Sequence, residues 1–240
     1  MINIENTKVT GWGSAIRGAR NPMNSWNRSD SAVVNKEGIE SSDTIVENCG
    51  DLYFVIGQRD QQLMRSLARA GADHRKFMRM VVVYADILAP LYWWKEFDTY
   101  KIGTVANSCS TMHKIAAKEF VVADFSVDHL IGRNNEEQMR TVQNGNFVTT
   151  SPFEILRNTV GMLNECRDRY LQTKDKRWWW QLIQLLPSSY NQKRTTMMNY
   201  EVLANIYKAR RNHKLDEWGV LCQWIAGLPF SELITGGAVQ

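Results

Sequence analysis

The stretch that most constrains the fold lies near the C-terminus: LLPSSYNQKRTTMMNYEVLANIYKARRNHKLDEWGVLCQWI, residues 185–225. Arg194 to Met198 reads as a short strand. Asn199 then stands where a helix N-cap belongs, ahead of Leu203, Tyr207 and Arg210 at helical spacing. A second helical stripe, Trp218, Leu221, Cys222 and Ile225, is stopped by Gly227 and Pro229. The first helix carries more polar groups than packing needs. Asn199, Asn205 and Arg210 interleave with its apolar residues, and amides with a guanidinium suit a flat, hydrogen-bonding ligand and an anion. Structural alternatives stay open: Asn199 as a cap alone, and Arg210 as an ion-pair partner of Glu201, Asp216 or Glu217.

The chain has 240 residues, 44% hydrophobic and 22% charged, which predicts one α+β domain over 1–240 with a polar, variable segment at 1–50. No apolar run reaches the ~20 residues a bilayer span requires. The N-terminus, MINIENTKVTG, lacks the basic-then-apolar order of an export signal, so a cytoplasmic location is expected. Cys49, Cys109, Cys166 and Cys222 are scattered without metal-type spacing and read as reduced thiols. The formal charge of +4 suits anionic small ligands, and the basic residues form no long stripe that would mark a nucleic-acid surface. Nine tryptophans, including Trp93-Trp94 and Trp178-Trp179-Trp180, point either to ring stacking on a ligand or to core and subunit-interface packing.

Along the chain, a strand is predicted near Lys8 to Trp12, followed by turns, and another over 51–57. A helix over 58–71 follows, with Leu63 and Leu67 on one face and Gly71 past its end. The β-branched run in 76–88 reads as a strand. Ala89-Pro90 then restarts the chain into a helix through LYWWKEFDTY, which places Glu96, Asp98 and Tyr100 on one helix. Residues 103–112, GTVANSCSTM, read as a loop presenting side-chain oxygens and backbone N–H groups. Helices are expected over roughly 152–172 and 176–186.

Two blocks then carry a resemblance. The order LP, strand, Asn199, five residues, Asn205, four residues, Arg210, then an acidic Trp-containing helix is similar to the C-terminal half of flavin-dependent thymidylate synthases. Arg59-Asp60, Leu63, Leu67 and Gly71 match that family's first helix, and Ala89-Pro90 its next step. The resemblance covers roughly 58–112 and 185–225. It implies a mixed sheet packed with helices, assembled as a homotetramer with sites at subunit interfaces. It also implies FAD, NADPH and a folate acting on a pyrimidine nucleotide such as dUMP. By the same resemblance Asn199, Asn205 and Lys101 would meet the flavin, and Arg210 the nucleotide phosphate. Glu96 falls where a Gln reads the pyrimidine, and Ser108, Cys109 and Ser110 fall in the nucleotide loop.

The family's signature, Arg-His-Arg, seven residues, Ser, one residue, Arg, is altered here. Its positions fall on Thr99, Tyr100, Lys101, Cys109 and Thr111. An Arg before the LP step falls near Ile183, and a His falls near Met78 to Met80, with His74 close by. Phosphates are held by charge-assisted donors each worth ~1.5–3 kcal/mol, so these losses weaken binding unless other residues replace them. Lys101, His113, Lys114, Lys193, Arg194, Arg211 and Lys214 are the candidates. Cys109 is either a nucleophile or a small packing residue, and His213 a helix-end cation. Three functions therefore stand: a divergent enzyme that methylates or hydroxymethylates a pyrimidine deoxynucleotide at C5, a non-catalytic nucleotide- or protein-binding module that keeps the fold, and another flavin- or folate-dependent modification, of a different base or of RNA. A diverged copy of this kind would suit a phage genome and hence a host cytoplasm.

Overall fold

The computed structural model describes residues 2–41, 43–133 and 138–237. In chain order the elements are β1 (Asn3–Thr10), α1 (Trp12–Arg20), β2 (Ala32–Val34), β3 (Thr44–Cys49), β4 (Leu52–Ile56) and α2 (Gln58–Arg69). Then come β5 (Val82–Pro90), α3 (Leu91–Phe97), β6 (Thr104–Ser108), α4 (Thr111–Lys114), β7 (Met139–Gln143) and β8 (Asn146–Thr150). The chain ends with α5 (Pro152–Thr173), α6 (Lys176–Leu185), β9 (Asn191–Asn199), α7 (Tyr200–Arg210), α8 (Asp216–Ala226) and α9 (Glu232–Thr235). One sheet has the strand order β1-β5-β9-β6, a second β2-β4-β3, and β7 pairs with β8. No helix among the described residues is long and apolar enough to cross a membrane.

Two compact units make up the chain: Leu88–Phe97 with Ser108–Arg194, and Ile2–Ile87 with Asp98–Asn107 and Thr195–Gln240. In the second, larger unit, Trp12 is fully buried and meets the rings of Tyr200 and Phe230, with centroids 5.3 and 5.4 Å away. The Tyr200 hydroxyl donates to the Pro229 carbonyl at 2.6 Å, so this deep ring keeps its polar tip satisfied. Gly11 precedes Trp12 with φ +94°, and a Cβ there would lie 2.2 Å from the Met80 carbonyl oxygen. Only glycine fits that position. Asp60, fully buried on α2, accepts from Arg20 Nε at 2.6 Å and from the hydroxyls of Ser29 and Ser31 at 2.6 and 2.7 Å.

In the smaller unit, α5 and α6 close over a core that includes Phe120, Phe125, Leu156, Leu163, Cys166 and Leu182. Ser151 and Asp175 cap the two helices by accepting from the backbone N–H of Glu154 and Arg177. Asn164 accepts from the Phe120 N–H at 2.8 Å and donates to its carbonyl at 2.9 Å, tying an irregular segment to α5. On α3, Trp93, Trp94 and Phe97 are all buried, with Trp93 stacked on Phe97 at 5.1 Å.

Both long helices before the C-terminal block, and the strand–cap–helix–helix run itself, fall where the sequence pattern predicts. Other expectations are corrected. The segment 8–12 is not one strand: β1 runs Asn3–Thr10 and a helix begins at Trp12, whose inward stripe is Trp12, Ala15 and Ile16. Most of Asn3–Thr10 is exposed, so no apolar alternation marks it. The strand expected over 76–88 starts later, at Val82, after a 3-10 turn over Arg75–Arg79, and runs through Pro90. On α2 the deeply buried residues are Asp60, Gln61 and Met64, with Leu63 and Leu67 only half-buried. The 103–112 segment is not a loop throughout. It holds β6, last in its sheet and mostly exposed, so polar residues are tolerated there. Finally, α3 ends at Phe97, so Asp98 and Tyr100 are not helical.

Candidate functional site

Arg210 is the last residue of α7, half-buried. Its Nε–H donates to the Tyr100 hydroxyl oxygen at 2.9 Å, and its guanidinium carbon lies 4.6 Å above the Trp218 ring and 5.7 Å from the Tyr100 ring. Tyr100 and Trp218 meet edge to face at 6.0 Å. A hydrogen bond plus a stacked face fixes both the position and the plane of the guanidinium, as a bidentate anion ligand requires. The Tyr100 end is held in turn: its carbonyl accepts the Thr104 hydroxyl. Glu201, one of the partners considered for Arg210, instead bridges Arg75 and Arg79 at 3.4 and 3.9 Å. Lys208 shares the last turn of α7 with Arg210, where the helix C-terminus favours cations.

Asn199 caps α7, accepting the Val202 N–H at 2.9 Å, while its own N–H donates to the Gly103 carbonyl at 3.0 Å. Gly103 has φ +84°, and a Cβ there would come within 2.6 Å of the Asn199 amide nitrogen. The cap reading of Asn199 is therefore realised, with the side-chain oxygen spent on the helix. Asn205 and Lys101 are both exposed. His213 accepts the Leu215 N–H through Nδ1 at 3.2 Å and lies 6.2 Å from the Trp218 ring, a turn-forming role. Lys101, Asn199, Asn205 and Arg210 all belong to the larger unit.

Glu96, Ser108, Cys109 and Ser110 belong to the smaller unit. Glu96 is half-buried on α3, next to the buried Phe97. The Cys109 N–H donates to the Lys193 carbonyl at 2.9 Å, and its carbonyl accepts from Gln192 Nε2 at 2.9 Å. Ser110 accepts the His113 N–H at 3.1 Å. Gln192 also accepts from Arg194 Nε at 3.0 Å, and the Arg194 guanidinium lies 4.2 Å over Trp94. The Cys109 backbone is thereby paired with β9, its N–H and carbonyl both taken. Among the cysteines Cys49 and Cys109 are exposed and Cys166 and Cys222 buried, all four reduced. Burial pushes the Cys222 thiol up to about 11 and raises that of Cys166.

Sequence reasoning placed Arg210 among functional candidates but missed its two ring partners. In the sequence Trp218 reads as one of the apolar stripe on its helix, and Tyr100 as a polar neighbour of Glu96 and Asp98 that stands in place of the family's His. A Tyr at a position expected to be cationic, facing an Arg elsewhere in the chain, was the available signal.

No protein-family model matches the chain, and no curated protein matches it by sequence. Solved structures do match. Thymidylate synthase X (ThyX) from Helicobacter pylori, with FAD and dUMP, superposes with a TM-score of 0.61 at 16% identity, covering 98% of this chain and 97% of that one. A second structure of the Helicobacter pylori flavin-dependent enzyme, complexed with FAD and dUMP, gives 0.59 at 16% identity, covering 96% and 97%. The UMP/dUMP methylase PolB from Streptomyces cacaoi, bound with 5-Br UMP, gives 0.56 at 15% identity, covering 98% and 95%. The chain thus has the flavin-dependent thymidylate synthase-like fold that its motifs anticipate, over nearly its whole length.

Proposed function

We propose that this chain binds a pyrimidine nucleoside monophosphate, with Arg210 as a phosphate ligand. The observation that carries this reading is the clamp on Arg210, bonded to the Tyr100 hydroxyl and stacked on Trp218. A guanidinium fixed on two sides is pre-organised for a phosphate and loses little freedom on binding. The likeness in fold to proteins solved with dUMP and 5-Br UMP supports the pyrimidine nucleotide as the ligand class.

The finer reading is reductive C5 methylation, or a related one-carbon transfer, in which FAD, NADPH and a folate supply the chemistry. It requires a seat for the flavin diphosphate. The residues that the resemblance assigns to it do not fit that group. Thr99 and Tyr100 carry no charge, Tyr100 is engaged by Arg210, and Lys101 is a lone exposed point charge. The second reading, a non-catalytic module that keeps the fold and binds a nucleotide or a protein, is favoured by that misfit. Titration calorimetry with dUMP, UMP and FAD separates the two. Nucleotide binding without flavin binding supports the module, and tight FAD binding supports an enzyme whose flavin is held by other residues. Failure of dUMP and UMP to bind would reject the nucleotide reading itself.

A further inference from the structure

A cavity of about 220 Å³ opens in the larger unit between α1 and β4, and it shares no residue with the Arg210 clamp. Trp26, Phe54 and Ile16 form its apolar lining, and Arg17 and Arg20 its charged lining. The hydroxyls of Ser29 and Ser31 stand beside them. The volume falls below the roughly 300–1,000 Å³ of sites for drug-sized ligands, so it fits a single substituted ring and is too small for a flavin dinucleotide.

The hydrogen bonds already made decide which charge the cavity offers. Arg20, only 5% exposed, gives its Nε–H to Asp60 at 2.6 Å and a terminal N–H to the Ser25 carbonyl at 3.2 Å, so its charge is matched. Ser29 and Ser31 both donate to Asp60, which spends their protons. A phosphate dianion, which needs several donors, finds too few here. Arg17 is different. It is exposed, has no carboxylate partner among the described residues, and holds its guanidinium carbon 5.6 Å over the Trp26 ring. The Trp26 indole N–H donates to Asn21 Oδ1 at 2.7 Å, which fixes that ring although 43% of the residue is exposed. One unmatched cation beside two ring walls matches a ligand with one aromatic ring and one negative charge.

We infer that this cavity is a second ligand site, for an aromatic monocarboxylate whose ring lies against Trp26 and Phe54 and whose carboxylate pairs with the Arg17 guanidinium. Planar carboxylate and planar guanidinium join through two parallel hydrogen bonds, and a benzoate-type ring is coplanar with the carboxylate it carries. The aromatic walls then supply ring contact that an aliphatic acid cannot match. The site does not rest on the nucleotide reading, because none of its residues belongs to the phosphate seat at Arg210.

The experiment is fluorine NMR of the full chain carrying fluorotryptophan, with the Trp26 signal assigned from Trp26→Phe and with benzoate, benzamide and cyclohexanecarboxylate as probes. Benzoate should shift the Trp26 signal saturably, with a dissociation constant of about 1 mM or tighter. Benzamide keeps the ring without the charge, cyclohexanecarboxylate the charge without the aromatic face, and each should bind about tenfold more weakly or worse. Arg17→Ala should weaken benzoate about tenfold, and Arg17→Lys by less. Arg17 lies at the surface, so melting should be little changed in either variant. The nucleotide dUMP should leave the Trp26 signal in place, so this site and the nucleotide reading fail separately. A Trp26 signal that benzoate does not move at tens of millimolar would overturn the site. Equal binding of benzamide, or full benzoate affinity in Arg17→Ala, would overturn the Arg17 anchor and with it the choice of a carboxylate.

Discussion

Arg210 takes part in two energy balances at once. Its stacking on Trp218 and its bond to Tyr100 together stabilise the fold by about 1–2 kcal/mol. A desolvated charge-assisted bond to phosphate is worth more. Arg210→Ala should therefore weaken dUMP or UMP binding by ~2–4 kcal/mol while lowering the unfolding free energy by far less. Calorimetry beside a denaturant melt reads both, and a variant that binds normally but melts much lower would show that Arg210 is structural. Tyr100→Phe keeps the ring and removes the acceptor of the Arg210 Nε–H. It should cost about 1 kcal/mol of nucleotide affinity and little stability. Arg210 was legible in the sequence because helical spacing and the order of motifs marked it. Its clamp was not, because Tyr100 lies 110 positions away and no periodic pattern links the two.

Among the elements, α7 shows how a cap and a turn share one residue. The Asn199 side chain closes the first turn of α7, and Gly103 packs against it with a positive φ. Gly103→Ala combines a left-handed backbone with a Cβ driven into the amide, so it should destabilise by more than the ~1 kcal/mol of a lost cap. A urea titration would read the difference, and a neutral Gly103→Ala would remove the packing account. Helix α2 carries the other sensitive point. Asp60→Ala leaves the buried Arg20 guanidinium without its carboxylate and strips two serine hydroxyls of their acceptor. A loss of roughly 3–5 kcal/mol is expected, measured as a fall in unfolding free energy. Arg59-Asp60 was readable as a motif, but its physical role was not. The exposed Arg59 pairs with Asp30, whereas Asp60 does the buried work, and the sequence does not separate the two.

For the whole molecule, assembly and flavin affinity are the open quantities. Helices α5 and α6 leave Ile155, Met162 and Trp180 exposed, apolar surface that association would cover. A homotetramer is expected, and light scattering at micromolar concentration that returns the 27.7 kDa of one chain would remove the shared-site arrangement. FAD should bind weakly and with steep salt dependence, because Lys101 alone among Thr99, Tyr100 and Lys101 carries charge. Thr99→Arg/Tyr100→His should strengthen it, read by flavin fluorescence, although it also takes the hydroxyl from Arg210. Taken by itself, the sequence determined the elements whose signals are local. Caps at Ser151, Asp175 and Asn199, apolar stripes at helical spacing, and the stops at Gly227 and Pro229 act within a few residues of one another. Motif order then carried the fold class. The edge strands β1 and β6, the Asp60 network, the Arg210 clamp and the cavity beside Trp26 were decided only by tertiary structure. Each depends on groups brought together from distant positions, where burial and pairing override local propensity and leave no periodic trace.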